Sequence, residues 1–433
     1  MPPVEGATFA LRSNHVKVLY VVPHGQDLGG IITSSEHLMQ GFREAGHKAT
    51  FALLRSGNAR GSEPRGQHAD DYIVGPGSGM LMHPVHGWRG PCYTTDNPDK
   101  FIALANEHDI VVWGALYGLR NSKTEGTTGW LRCITDHKAK NVFMVRDDHL
   151  EKRVPWAMAF APFADGWAGV QQCSFESVAG LAAPTALIFS GHGPTDASVL
   201  KKRRKGVLAV ATWKGWKNPR IMLQSYAETW WEQQPLTLAG DGIELRYMRS
   251  EEKARDKDYT PAGWKIWDGA VGAGMNYVGS IQEEERDNLM RNHLFLADFS
   301  YRENSGQINR SVVEAMRNGC IPIADPRFIS GNAEGIGELF RADVHYLPIH
   351  VKRDDVGEQM TKLLRTKPAI LNQMRQTNFD RVDAFSRKIA ANELVKLGMG
   401  KWAGFKYAKP EIDKDKIERG NAAFREIFGE LPK

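Results

Sequence analysis

The sequence predicts an α/β protein made of two Rossmann-like domains, and three observations carry that prediction. Val16 to Val22 is a nearly continuous apolar run, as a strand buried on both faces reads, and it leads through a glycine-containing loop into a helix and a second strand, Lys48 to Leu54. The same β-then-α alternation restarts at Val207 to Ala211, directly after the basic cluster Lys201-Lys202-Arg203-Arg204-Lys205. A length of 433 residues suits two such domains, placed at 1–200 and 201–400.

In the first domain, Pro23 ends the opening strand and the loop His24-Gly25-Gln26-Asp27-Leu28-Gly29-Gly30 follows. Thr33 and Glu36 have capping-box spacing, so the helix is expected to open there and to close at Gly46. Gly29 and Gly30 read either as a tight turn or as room for the close approach of a ligand. No G-x-G-x-x-G occurs, so a dinucleotide site is not supported. Residues 55–98 are rich in Gly, Pro, Ser, His and Arg, with only Asp71 to Val74 strand-like. Beyond them, Ile110 to Trp113 and Val142 to Val145 read as buried strands and 119–129 as a polar loop. Trp156 to Phe163 reads as helical, and Trp167 to Val170 and Thr185 to Phe189 as strands.

The second domain reads as a strand at Val207 to Ala211, a helix from Pro219 to Trp231, and strands at Leu236 to Ala239 and Tyr277 to Val278. A helix at Glu283 to Met290 and a strand at Leu294 to Phe299 follow. Then comes Asn309 to Ala324, NRSVVEAMRNGCIPIA. Val312, Val313 and Met316 fall on one side of a helix and Arg310, Glu314 and Asn318 on the other, with Gly319 as the C-terminal glycine and a strand at Ile321 to Ala324. The turn Ser305-Gly306-Gln307 before it offers backbone N–H groups to an anion at the helix N-terminus. On these residues alone, Arg310 and Glu314 could equally be a surface i,i+4 pair worth about 0.2–0.5 kcal/mol. The helix-rich end, from Val356 to Phe428, offers no recognisable chemistry.

Composition excludes several classes. No run reaches the roughly 18 uninterrupted apolar residues of a membrane helix. The N-terminus MPPVEGATFALRSNH has no signal-peptide core, so a cytoplasmic protein without a membrane partner is expected. Cys92, Cys133, Cys173 and Cys320 form no C-x-x-C pair, which points away from a zinc site or a disulfide framework. Asp256-Lys257-Asp258 has the D-x-D form of a metal motif but lies in the charged run RSEEKARDKD and reads as a solvated loop; no metal ligand is expected. A net charge of +5 permits an anionic partner without demanding one.

Two stretches sit where open α/β sheets place ligands, at the carboxyl ends of strands. Thr212-Trp213-Lys214-Gly215-Trp216-Lys217 follows the first strand of the second domain, and Lys214 is its candidate phosphate cation. Arg146-Asp147-Asp148-His149 follows the strand at Val142 to Val145. If strand geometry persists, Arg146 and Asp148 point one way and Asp147 and His149 the other; the competing reading is a locally hydrogen-bonded Asp/His turn. The cluster at residues 201–205 reads as an interdomain linker, either a solvated charge run or a set of phosphate contacts.

The pattern E-A-x-x-x-G-x-x-P-I beginning at Glu314 resembles the donor-nucleotide helix of GT-B glycosyltransferases, especially the retaining family-4 group. That resemblance implies two Rossmann-like domains facing each other across a cleft, with C-terminal helices crossing back. It makes 1–200 the acceptor domain, 201–400 the nucleotide-sugar domain, and 401–433 a tail packed on the first. It further implies that Glu314 binds the ribose hydroxyls and that Lys214 meets the β-phosphate. Ser305, Gly306, Gln307, Asn309 and Arg310 would surround the diphosphate, with Gly29 and Gly30 also near the donor. Many members carry a second glutamate eight residues before the first; here that position is Gly306, and no arginine precedes Lys214 in Leu208-Ala209-Val210.

The order of the Gly-Gly loop, Asp148-His149, the T-W-K-G turn, R-S-x-x-E and G-x-I-P across residues 16–330 is similar to that of the phage DNA α-glucosyltransferases. This implies a UDP-sugar, glucose by preference, as co-substrate with no further cofactor. It implies double-stranded DNA bearing a hydroxymethylated pyrimidine as acceptor, in the host cytoplasm if the protein is a phage's. Asp148 would then be catalytic with His149 and Asp147 beside it, and Lys201, Lys202, Arg203, Arg204 and Lys205 would contact the nucleic acid. The alternatives are a family-4 enzyme acting on a surface glycan, lipid or small molecule, and a sugar-nucleotide epimerase.

Overall fold

The structure is a computed structural model; it describes residues 15–23, 30–54, 72–74, 92–95, 98–114, 116, 126–146, 155–189, 191–202, 204–249, 262–301, 309–326 and 340–431. The chain forms two compact units. One comprises residues 1–170, 177–191 and 387–433, and the other 171–176 and 192–386.

The first unit is built on a sheet of β1 (Lys17–Pro23), β2 (Lys48–Leu54), β3 (Tyr72–Val74), β4 (Cys92–Thr95), β5 (Ile110–Trp113), β6 (Lys140–Val145), β7 (Gly166–Gly169), β8 (Thr185–Leu187) and β15 (Lys406–Ala408). Among the described residues their order is β15-β8-β7-β6-β5-β1-β2-β4-β3, parallel except for the edge strands β15 and β3. Side-chain alternation explains the unbroken apolar runs. Leu19, Val21, Val111, Trp113 and Phe143 face one core, while Val18, Tyr20, Ile110, Val112 and Met144 face another, so every residue of a central strand is covered. On the first face Trp113, Phe143 and Trp167 form an aromatic row, with centroids 6.2 and 4.9 Å apart.

C-terminal helices complete both faces. The helix Arg387–Gly398 lies on the helix Gly30–Glu44, so close at Gly41 that a Cβ there would stand 2.2 Å from the Arg387 carbonyl oxygen, and Arg387 pairs with Glu44 at 2.5 Å. The helix Lys414–Phe428 packs on the 3-10 segment Pro155–Phe163, with Phe424 edge-on to Phe160 at 5.7 Å.

Among the described residues the second unit has a parallel sheet, β11 (Asn276–Gly279), β10 (Leu236–Ala239), β9 (Val207–Val210), β12 (Phe295–Asp298), β13 (Ile321–Ala324) and β14 (Leu347–Pro348), in that order. The mixed α/β class with two parallel sheets is as the sequence predicts.

Several local expectations are corrected. The first helix begins at Gly30, so Thr33 and Glu36 lie inside it and form no capping box; Glu36 is buried. It does end as expected, with Gly46 at φ +85° and the His47 N–H bonded to the Phe42 carbonyl. The segment expected to be helical over Trp156 to Phe163 is helical, as a 3-10 helix Pro155–Phe163 with Pro162 inside it. The helix expected over Pro219 to Trp231 is α-helical only to Ser225 and continues as a π-turn, Tyr226–Trp230, in which the Ser225 carbonyl accepts from Thr229 Oγ1 and the Ser225 hydroxyl from Trp230 Nε1. Residues 55–98 contain the strand β4 besides β3.

Candidate nucleotide-sugar site

Because the second sheet is parallel, the segments leaving its strands share one carboxyl edge. The Lys214 turn leaves β9 there. Trp213 is buried, its indole donating to the Ala239 carbonyl and its backbone N–H to the Asp241 carbonyl, both at 3.0 Å. Gly240 and Gly242 follow β10 and make room for this turn: a Cβ on them would stand 2.0 Å from Ala211 O and 2.2 Å from Trp213 O. Lys214 is extended and opens a short 3-10 turn, Gly215–Lys217, closed by Asn218 in the left-handed region at φ +48°. Its side chain is exposed, with no ion-pair or hydrogen-bond partner among the described residues. Lys217, in contrast, lies over the Trp216 ring at 4.1 Å, and its charge acts on Asp298.

The end of β12 is tied to this turn. Tyr301 N–H donates to the Trp216 carbonyl at 2.8 Å and Asn218 Nδ2 to the Phe299 carbonyl at 2.7 Å. Asp298, the last residue of β12, is 8% exposed and accepts from the Ser300 N–H, the Ser300 hydroxyl, Asn309 Nδ2 and the Ser311 hydroxyl. Burial alone would push its carboxyl up; Lys217 and the bonds from Ser300 and Asn309 outweigh that and hold it below the ordinary carboxylate range. The sequence reading missed Asp298, although a carboxylate directly after the apolar run Leu294-Phe295-Leu296-Ala297 is a signal of the same kind as Asp147, two residues after Val145.

The central helix, Arg310–Arg317, follows with Asn309 as its N-cap. Its polar side is not a solvent face, against the surface-pair alternative: Glu314 is 1% exposed and takes Arg310 at 2.7 Å and Arg286 at 3.0 Å on the same carboxylate oxygen. Glu283 stands 3.7 Å from Arg286 and 3.9 Å from Arg310. The surface-pair reading is therefore overturned. The helix Glu283–Asn292 covers that side, as the Asn318 amide donating to Asp287 at 3.0 Å and the Arg317–Asp287 ion pair also show. The helix ends as predicted, with Gly319 at φ +74° and paired bonds from Gly319 N–H to Met316 O and Cys320 N–H to Ala315 O.

The basic cluster lies inside the second unit, and one member is corrected. Arg204 is 9% exposed and gives its guanidinium to three carbonyls, Met290 at 3.1 Å, Asn318 at 2.5 Å and Val199 at 2.6 Å. Arg375 adds bonds to Gly319 O and Val199 O. Both arginines cap the carboxyl end of the central helix, where the dipole favours cations, so Arg204 cannot reach a phosphate. Burial lowers the pKa of each. Lys201, Lys202 and Lys205 are exposed. Arg203 lies outside the described residues.

In the first unit Arg146 follows β6 and is bound inward, to Gly114 O at 2.7 Å, the Tyr20 hydroxyl at 2.6 Å and the Ser34 hydroxyl. Gly114 permits this, since a Cβ there would stand 2.5 Å from the Tyr20 oxygen. Asp147, Asp148, His149, Gly29, Ser305, Gly306 and Gln307 lie outside the described residues, and Gly30 is the first residue of its helix. Among the described residues no cluster of metal-ligating side chains occurs, and no helix is long and apolar enough to cross a membrane.

No protein-family model matches the chain, and no curated protein matches it in sequence. In structure it is similar to an alpha-glucosyltransferase in complex with UDP-glucose and DNA containing an abasic site, at TM-score 0.63 and 12% identity over 89% of this chain and 100% of that one. It is also similar to Anabaena HepE in complex with UDP and glucose, at TM-score 0.59 and 14% identity over 88% and 99%. A third is the pneumococcal O-GlcNAc transferase GtfA in complex with UDP and GlcNAc, at 0.58 and 11% over 89% and 99%. The chain thus has the GT-B fold of these glycosyltransferases.

Proposed function

We propose that the protein is a retaining glycosyltransferase that moves a hexose, glucose by preference, from a UDP-sugar to a hydroxymethylated pyrimidine in double-stranded DNA. The observation that carries the donor half is the grouping, on the carboxyl edge of one parallel sheet, of an unpaired exposed lysine and the amino end of a helix with a buried carboxylate. Lys214 and the first turn of the central helix supply positive charge for a diphosphate, and Glu314, one turn further on, suits the ribose hydroxyls. As the bond from the anomeric carbon to the β-phosphate oxygen breaks, negative charge grows on the departing UDP, and fixed cations stabilise that charge more than the ground state. The acceptor oxygen bonds to the same face of the sugar, and its proton is released. The resemblance assigns the neighbourhood of that hydroxyl to Asp148, with His149 and Asp147 beside it.

Support for the DNA acceptor comes from the motif order and from the structural likeness to a DNA-bound alpha-glucosyltransferase. Lys201, Lys202 and Lys205 remain available for phosphates, while Arg204 is not. The test is incubation of UDP-glucose and other UDP-sugars with duplexes containing 5-hydroxymethylcytosine or 5-hydroxymethyluracil, followed by mass spectrometry of the nucleosides. A sugar-bearing nucleoside is expected, lost in Asp148→Asn with UDP binding retained. Extension of an oligosaccharide with no modified nucleoside would replace DNA by a glycan acceptor, and conversion of the UDP-sugar alone would indicate an epimerase.

A further inference from the structure

We propose, resting on the donor reading above, that Asp298 is a positioning residue for the diphosphate: its buried carboxylate holds the first turn of the central helix and the Lys214 turn in register with one strand end. Four observations meet there. Asp298 ends β12 and accepts from Ser300 N–H at 3.0 Å and from the Ser300 hydroxyl, which lie before the connection to the central helix. Beyond that connection it accepts from Asn309 Nδ2 at 2.5 Å and Ser311 Oγ at 3.3 Å. One carboxylate therefore fixes both flanks of the segment that joins strand to helix.

Asn309 shows what this holding displaces. It has the extended backbone of an N-cap, yet its side chain makes no capping bond and is given to Asp298 and to Ser300 Oγ at 3.0 Å. Asparagine at this position ordinarily caps the first-turn N–H groups of its own helix. Here the side chain anchors the helix start to the sheet instead.

The charge arrangement points the same way. A buried carboxylate beside a diphosphate would repel it unless compensated. The Lys217 charge and the hydrogen-bond donors supply that compensation, while the exposed Lys214, with no partner among the described residues, is left to an external anion. The same strand end carries the turn through Tyr301 N–H to Trp216 O and Asn218 Nδ2 to Phe299 O. Asp298 thus acts through Lys214 and the helix, without touching the donor itself.

Asp298→Asn preserves shape but sets an amide against the Asn309 amide and removes the charge that the Ser300, Asn309 and Ser311 donors hold. Binding of UDP and of uridine, which lacks the phosphates, should be compared by calorimetry and competition in wild type and variant, with thermal unfolding alongside. The expected result is a loss of UDP affinity of about ten-fold or more with uridine affinity unchanged. Equal loss for both ligands, or no loss for UDP, overturns the inference while leaving the donor site intact; a wild-type protein that binds no UDP overturns the donor reading and the inference with it. Should Asp298→Asn fail to fold, Ser300→Ala removes a bond to the same carboxylate from the strand side and must show the same split between UDP and uridine, or the inference is wrong.

Discussion

Replacing Glu314 by alanine removes a carboxylate that is 1% exposed and leaves two guanidinium groups facing each other. Loss of one partner from a buried ion pair costs about 3–5 kcal/mol. The Arg286 and Arg310 side chains are 19% and 20% exposed and can recruit water or Glu283, so the lower end, ~3 kcal/mol, is expected for stability. The effect on the ligand is separate. A ribose hydroxyl bonded to a carboxylate contributes about 1.5–3 kcal/mol, which translates into a rise in the Kd for UDP of roughly 10- to 150-fold. Titration calorimetry with UDP well below the unfolding temperature reads the second effect without the first, and Glu314→Gln, which keeps the volume and one acceptor, should unfold later than Glu314→Ala. If Glu314→Ala loses stability but binds UDP as the wild type does, Glu314 serves only to neutralise Arg286 and Arg310, and the ribose assignment is wrong.

Three further outcomes follow from the same geometry. Lys214→Ala should lower kcat by about 10²–10³ with an unchanged unfolding transition, because the exposed lysine is spent on charge that grows as UDP departs; near-normal turnover would remove it from the site. Arg204→Ala should cost about 3 kcal/mol by orphaning the Met290, Asn318 and Val199 carbonyls, yet leave the salt dependence of DNA binding unchanged, whereas a shallower salt slope would return Arg204 to the phosphate contacts. His293 and His192 are held below the ordinary histidine range, burial being the largest cause for each. The unfolded chain therefore binds protons first. Their contribution to stability is complete above about pH 6.5 and is lost as pH falls further, so the urea midpoint should drop from pH 7.5 to pH 5.5; a flat or rising midpoint contradicts it.

The parallel sheets were legible because strands buried on both faces must be apolar throughout, and Val16 to Val22 and Leu236 to Ala239 could be little else. The central helix was legible in its ends but not in its surroundings. Gly319 marks its close by conformation, whereas Arg310, Glu314 and Asn318 look solvated until Arg286 and Asp287 are brought over them from a different helix. Arg204 was misread for a similar reason: in sequence it is one of five consecutive cations, and only folding shows that Lys201, Lys202 and Lys205 face water while it caps a helix more than a hundred residues away. Asp298 escaped notice because two of its hydrogen-bond partners, Asn309 and Ser311, lie more than ten residues away in sequence and meet it only at the strand end.

The donor site can be seen outright in a crystal structure of the protein with UDP. The diphosphate is expected beside Lys214 and the first turn of the helix Arg310–Arg317, with the ribose hydroxyls within hydrogen-bond reach of Glu314. UDP bound elsewhere on the molecule, or bound here with its ribose turned away from Glu314 and its phosphates away from Lys214, would contradict this placement.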